Sequence, residues 1–393
     1  MLFFVFVFLL FNGAAASKQL AFVQAVWRHG DRAPLGLPYP NDRYGEKDWP
    51  RGFGELTNLG MQQLKVVGGF FKQRYAGTFV DKRFNHKQVY LRSSDSDRAL
   101  VSAQSLLNGF FPPSNNEDKF ESGLNWQPIA VHASSPNEPD PLLKPTAFDC
   151  PNYNTEFDQI KKPLFESWTT KYQKLLDFLT TAAGYKSPIT IEEVATLNDA
   201  NREITHNLTQ PDWMYKKWPE YDNNSTLQII TEIGRMLRMA EFDDTTLAYL
   251  RGGFLLNDWM RRAQRVASGN QTDPSKVLLY SSHDGTLLAL MYLLKVANGQ
   301  MIAYGGSVLM EVYKHSDGYF LEFYYYHNGE LTRLCVGGCC HDRCSLKSFV
   351  DQFEDKTIAT VEDLNDMCAA PWTQFKRQMR RLKRKHTNRS QIN

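Results

Sequence analysis

Apolar residues recur along the chain with two periods, and the points where the period changes mark its plan. Three short runs are mostly apolar and β-prone: 22–27 (Phe-Val-Gln-Ala-Val-Trp), 88–91 (Gln-Val-Tyr-Leu) and 276–282 (Lys-Val-Leu-Leu-Tyr-Ser-Ser). Each leads into polar residues, namely Arg28-His29, Arg92-Ser-Ser-Asp95 and His283-Asp284. Such runs, separated by helices, read as parallel strands buried on both faces, and open α/β sheets bind ligands beyond the carboxyl ends of their strands. The pattern predicts that these three polar groups converge.

Helical spacing fills the gaps. Thr57 is placed to cap a helix carrying Leu64, Val67, Phe71 and Tyr75 on one face. Ser94 or Asp95 is placed to cap another carrying Leu100, Ala103, Leu106 and Leu107, and His283-Asp284 opens the nearly all-apolar stretch 287–294. Helix N-termini aimed at one point favour an anion there. Segments 307–313 and 319–326, joined through Gly318, predict a hairpin that extends the sheet with antiparallel strands. After a proline-rich stretch at 136–145, helical patterns around 163–183 and 226–265 with few strand signals predict an α-rich insertion. The expected fold is therefore α/β, a three-layer sandwich with a mostly parallel sheet flanked by helices. Its core is expected over about 18–144 and 261–371, with a cap at about 145–260 and a tail at 372–393.

Composition narrows the setting. The 393 residues are 42% hydrophobic and 22% charged, an ordinary globular balance that excludes general disorder. Residues 1–11 are an apolar run followed by Ala14-Ala-Ala-Ser17, which reads as a secretory signal peptide over 1–17. A membrane anchor would need about 20 apolar residues. Sequons at Asn207, Asn223, Asn224, Asn270 and Asn388 fit a secreted glycoprotein. Six cysteines (Cys150, Cys335, Cys339, Cys340, Cys344, Cys368) suggest up to three disulfides, with the pairing open. The 335–344 cluster, with His341 inside it, also has metal-ligand residue types, but an oxidising compartment favours disulfides. Residues 376–393 hold eight Lys and Arg and no acid, so the rest of a chain of net charge +2 carries about −6. That tail could bind heparin-like polymers or anionic lipid, and it reads first as a solvated, frayed terminus.

The heptapeptide Arg28-His29-Gly30-Asp31-Arg32-Ala33-Pro34 sets two guanidiniums around a histidine at a strand end, so an anion is expected to sit on them. Arg-His-Gly-x-Arg-x-Pro after a first strand, Leu56-Thr-Asn-Leu-Gly60, Arg92-Ser-Ser-Asp-Ser-Asp-Arg98 and a late His283-Asp284 together resemble the histidine acid phosphatases of the prostatic and lysosomal type, over about 18–371. The resemblance implies hydrolysis of phosphate monoesters, small-molecule or protein, through a covalent phosphohistidine on His29 with Asp284 as proton donor. It implies a phosphate pocket of Arg28, Arg32, Arg92 and His283, with arginines in the place of a metal and no cofactor. It further implies bridges Cys150–Cys368 and Cys340–Cys344 and a homodimer. Cys335 and Cys339 depart from the family pattern, so their partners stay open, with a third pair between them as one option; the 307–326 hairpin, if it forms a sheet edge, is where a partner would pair.

The chemistry is coherent with those residue types. Arginine's planar fork binds two phosphoryl oxygens at once and stays charged. Neighbouring positive charge lowers the pKa of His29 and keeps a nitrogen lone pair available in acid. Asp284 donates only while protonated, so an acid optimum follows. Asp31 and Arg98 are read as supporting residues, and His86, His132, His206, His315, His327, His341 and His386 as structural or surface histidines. Rival readings are a phytase or inositol polyphosphate phosphatase, for which Lys161, Lys162, Lys216 and Lys217 would have to face the pocket, and a secreted non-catalytic binding protein. A phosphoglycerate mutase-like transferase ranks last. The expected location is extracellular, or the lysosomal lumen, with neither a nucleic-acid partner nor a transmembrane segment.

Overall fold

The computed structural model describes residues 18–115, 117–340 and 343–390, with side chains through Leu382; residues 1–17, expected to be a signal peptide, and His341 lie outside the described residues. Strand β1 (Gln19–Arg28), helix α1 (Asn58–Tyr75), β2 (Val89–Ser93) and α2 (Asp97–Phe110) come first. Then follow α3 (Pro151–Ala182), α4 (Val194–Leu197), α5 (Ala200–Thr205), the short strands β3 (Lys217–Trp218) and β4 (Asn224–Ser225), and α6 (Thr226–Ala240). The chain returns through α7 (Thr245–Ala267), β5 (Val277–Ser282), α8 (Asp284–Leu293), β6 (Ser307–His315), β7 (Gly318–His327), β8 (Glu330–Leu334), β9 (Cys344–Ser345), α9 (Leu346–Phe353), α10 (Val361–Ala369) and α11 (Trp372–Ser390).

One sheet runs β2-β5-β1-β6-β7-β8, with β9 pairing β7. β2, β5 and β1 are parallel, in a register that sets Arg28 beside Ser282 and Ser93 beside Ser281, so the carboxyl ends of the three site strands are level. β6, β7 and β8 continue it antiparallel, as the hairpin pattern predicted.

Alternation along the strands builds the layers. Val23, Ala25 and Trp27 of β1, with Val277 and Leu279 of β5, face Leu64, Phe71, Leu106 and Phe110 of α1 and α2. Phe22, Val26, Leu278 and Tyr280 face the other way, onto Leu255 and Trp259 of α7 and Leu287 and Leu290 of α8. Thr57 caps α1 through its side chain, and Leu64, Val67, Phe71 and Tyr75 are its buried face, as the spacing required. A third cluster, formed by Leu175, Leu179, Val194, Leu197, Ile230 and Ile233, is a separate core for the cap.

Several expectations are corrected. α2 starts at Asp97 with Ser96 as its N-cap, later than the Ser94 or Asp95 expected. Helix α7, assigned mostly to the cap by sequence, packs on α8 and the sheet, because its apolar stripe matches that face. The hairpin is not an edge, since β8 and β9 pair with β7. The tail does not fray from 372: Phe375 and Met379 of α11 are buried in the core and Lys376 donates to both carboxylate oxygens of Glu156 at 2.9 and 2.7 Å. Cys150–Cys368 forms, but Cys340 bonds Cys335 instead of Cys344, and Cys339 and Cys344 are left as thiols side by side. The tight turn at 335–340 brings Cys335 to Cys340 before Cys344 enters β9. Among the described residues no helix is long and apolar enough to cross a membrane. Asn207, Asn223 and Asn270 are exposed, Asn224 is half-buried, and the side chain of Asn388 lies outside the described residues.

Candidate active site

β1 ends at Arg28 and the chain turns beneath α1 and α2. Gly30 N–H donates to Ser102 Oγ at 3.0 Å, and Asp31 N–H to Gln63 Oε1 at 2.8 Å. Thr57, the cap of α1, donates to Asp31 Oδ2 at 2.6 Å, and His206 Nε2 of the cap meets the same oxygen at 2.6 Å. Asp31 is thus a supporting residue, and His206 is a satisfied structural histidine. This turn aims His29 out of the sheet end.

His29 is buried, with its Nδ1 2.8 Å from its neighbour's carbonyl, Gly30 O. A carbonyl only accepts, so Nδ1 carries the proton and the lone pair lies on Nε2. Arg98 Nε donates to that Nε2 at 3.3 Å. Burial, then the charges of Arg28, His283 and Arg98, hold the imidazole well below the usual histidine range, against the Gly30 carbonyl. His283 lies edge-on at 5.4 Å between ring centroids, its Nε2 2.9 Å from Ser94 Oγ, and burial followed by Arg98 pushes its pKa down to about 3. Both shifts disfavour the charged imidazolium.

Arg28 donates to the carbonyl of Ile302 and stacks on Tyr304, whose ring centroid is 4.2 Å from the guanidinium carbon and 5.8 Å from His29. Arg32 donates to Ala33 O at 2.7 Å and pairs with Asp199 of the cap at 3.5 Å; burial and nearby Arg202 lower its pKa to about 10. Arg202 donates in turn to Tyr304 Oη at 2.8 Å. Asp284 opens α8, and Arg238 of α6 reaches it with Nε at 3.1 Å and Nη2 at 3.2 Å, one donor to each carboxylate oxygen. Burial alone would favour the neutral acid, but Arg238 and Arg28 outweigh it and hold Asp284 well below the usual carboxylate range.

Five of the six residues expected in the pocket come together: Arg28, His29, Arg32, His283 and Asp284. Arg92 does not. Val89 and Leu91 of β2 face α1 and α2, so Tyr90 and Arg92 point to the opposite face, where Arg92 Nη2 donates to buried Asp140 at 3.0 Å. The third arginine on the histidine is Arg98, one turn before Ser102 on the face of α2 that meets the motif. That i, i+4 pair of polar residues at a helix start was a signal the sequence did contain. Tyr304 and Arg238 carried no motif.

The family model of the histidine phosphatase superfamily, branch 2, matches residues 19–326. Among curated relatives, the rat (Rattus norvegicus) prostatic acid phosphatase is 33% identical over 339 residues, covering 85% of this chain and 86% of the relative. The lysosomal acid phosphatase of Xenopus laevis is 34% identical over 350 residues, covering 87% and 78%. Among solved structures, the phytase of Hafnia alvei in its apo form shares the fold with a TM-score of 0.65 at 16% identity, covering 88% of this chain and 98% of that one. With the family model matched over 19–326 and relatives of this identity covering most of its length, the chain belongs to the histidine phosphatase superfamily, branch 2.

Proposed function

We propose that this chain carries out its family's hydrolysis of phosphate monoesters through a covalent phosphohistidine on His29, with Asp284 moving the proton. The observation that carries the reading is the tautomer: Nδ1–H is held by Gly30 O, and the free Nε2 meets Arg98 between Arg28 and His283. Bound phosphate would take the Arg98 donor, and Arg28, Arg32 and His283 would hold the remaining oxygens, neutralising charge as phosphoryl transfer requires. The Nε2 lone pair attacks phosphorus, an N–P bond forms, and the P–O bond to the leaving group breaks as Asp284 gives that oxygen its proton. In the second step water attacks phosphorus, the N–P bond breaks, and the Asp284 carboxylate takes the proton released by water.

The resting carboxylate is ionised, so its proton has to arrive with substrate. Phosphate bound to Arg28 and Arg98 cancels positive charge that keeps Asp284 ionised, which favours its protonation in acid. The inositol polyphosphate rival required cap lysines facing the site. Lys161 instead pairs with Asp158 and Glu192, Lys216 lies over Trp218, and Lys217 donates to Gln228, which supports a simple monoesterase. In this reading residues 1–17 direct the chain out of the cell or to the lysosomal lumen, and exposed Asn207, Asn223 and Asn270 carry glycans.

Hydrolysis of p-nitrophenyl phosphate from pH 3 to 8 in excess chelator tests the reading. Activity peaking in acid and surviving chelation is expected, with His29→Ala losing at least about 10³-fold in kcat and Asp284→Asn about 10²-fold. Activity unchanged in His29→Ala would overturn it.

A further inference from the structure

Arg238 is the group that touches Asp284 most closely, and it comes from the cap. Its guanidinium engages both carboxylate oxygens, at 3.1 and 3.2 Å. Its remaining nitrogen, Nη1, donates to Glu241 Oε2 at 2.6 Å, just past the end of α6, and the guanidinium carbon sits 5.3 Å from the centroid of the Phe242 ring. Space for it is left by Gly285, where a side chain would begin 2.6 Å from Arg238 Nη2. A two-pronged pair of this kind fixes orientation as well as charge. The fork also occupies both oxygens, and an oxygen accepting from arginine is a poor place for the proton that a leaving group needs.

We propose that Arg238 is a positioning residue that holds the Asp284 carboxylate in place from the cap and restrains it as an acid, biasing the enzyme toward phosphate esters whose leaving groups need little protonation. This rests on the phosphohistidine reading above and deepens it to a substrate class: aryl and enol-type esters over those of simple alcohols. The other charged or titratable groups facing Asp284 are Arg28 and His29 from the end of β1, Arg98 from α2 and adjacent His283, with Lys144 acting on His283 and Glu241 on Arg238. Arg28 and Arg98 also face the phosphate site, so bound phosphate offsets them. Arg238 has its own carboxylate partners and keeps its grip through the reaction.

The test compares kcat/KM for p-nitrophenyl phosphate, whose phenolate departs unprotonated, with that for glycerol 2-phosphate, whose alkoxide does not. This ratio reports formation of the phosphoenzyme, and kcat reports its hydrolysis where the second step limits turnover. In the full chain, Arg238→Ala is expected to shift the ratio about tenfold toward glycerol 2-phosphate at pH 6, with Arg238→Lys, which keeps the charge and loses the fork, in between. Glu241→Gln, which loosens the guanidinium without emptying its site, is expected to shift the ratio the same way by about threefold, and it decides the matter if Arg238→Ala does not fold. A fall in both substrates by one common factor, leaving the ratio within about twofold of wild type in all soluble variants, would overturn the proposal. Failure of the underlying function would look different: wild type inactive on both esters, or activity persisting in His29→Ala.

Discussion

Arg92 and Arg98 stand at the two ends of one motif and do different work. Arg92 lies in β2 and Arg98 in the helix that follows it, and on sequence alone Arg92 reads as the phosphate ligand and Arg98 as a supporting residue. Strand alternation sends Arg92 across the sheet to Asp140, whose other oxygen accepts from the Leu142 and Leu143 amides at 3.1 Å each, so that pair locks the 136–145 stretch. Arg98 lies on the turn of α2 that faces His29. Arg98→Ala is expected to cut kcat/KM by about 10²- to 10³-fold with little change in melting temperature. Arg92→Ala is expected to leave kcat/KM within a few fold and to destabilise by about 1–3 kcal/mol, because Asp140 is buried and loses a charged partner. Steady-state kinetics and thermal melts of the two variants check this; equal kinetic losses would return Arg92 to the pocket. The Arg28-to-Pro34 motif was legible because its residues are consecutive, whereas Arg238 lies far along the chain from Asp284 and meets it only in three dimensions.

At the scale of elements, the site depends on how closely the motif turn approaches α1. A side chain at Gly30 would begin 2.3 Å from Gly60 O, and one at Gly60 would begin 2.2 Å from Asp31 O, so two glycines from separate segments pack backbone on backbone. The Leu56-Thr-Asn-Leu-Gly60 stretch is therefore both the start of a helix and the floor of the active site: Thr57 accepts from Gly60 N–H at 3.1 Å while donating to Asp31. Gly60→Ala is expected to push the turn away and cost about 1–3 kcal/mol by overpacking. A fall in kcat well beyond what partial unfolding explains should accompany it, read by activity per folded molecule from circular dichroism. Unaltered turnover would mean that the turn does not depend on this contact. The helix itself was legible from Thr57 and its apolar spacing, and so was the sheet from its both-sided strands. The pairing of Gly30 with Gly60 was not, since small residues leave no periodic mark.

Across the whole molecule, the cap and the core meet at charged contacts around the pocket: Asp199 on Arg32, Arg202 on Tyr304, His206 on Asp31 and Arg238 on Asp284. A further carboxyl pair lies at this boundary, where Asp42 of the loop after the motif faces Glu203 of α5, which accepts from Gln210 at 2.7 Å. Burial first, then the nearby Asp42 and Asp199 charges, push Glu203 up to about 7 against the Gln210 hydrogen bond, and burial also raises Asp42. The folded chain thus keeps a proton that the unfolded chain, with an ordinary glutamate near 4.5, has released. The stabilisation from this pair is full below that unfolded value and is lost as pH rises through about 7. Melting temperature is expected to fall by several degrees from pH 5 to 8, and Glu203→Gln to flatten that fall; an equally steep profile in the variant would remove the pair from the account. Sequence by itself determined the α/β plan and the strand ends that carry the polar groups, because local periodicity encodes them, and the family resemblance of its contiguous motifs pointed to His29, Arg28, Arg32, His283 and Asp284. Tertiary structure alone decided which arginine serves the histidine, which cysteines join, that α7 and α11 belong to the core, and that a cap arginine grips Asp284. Those outcomes depend on side-chain direction and on contacts between distant segments, which the order of residues along the chain does not record.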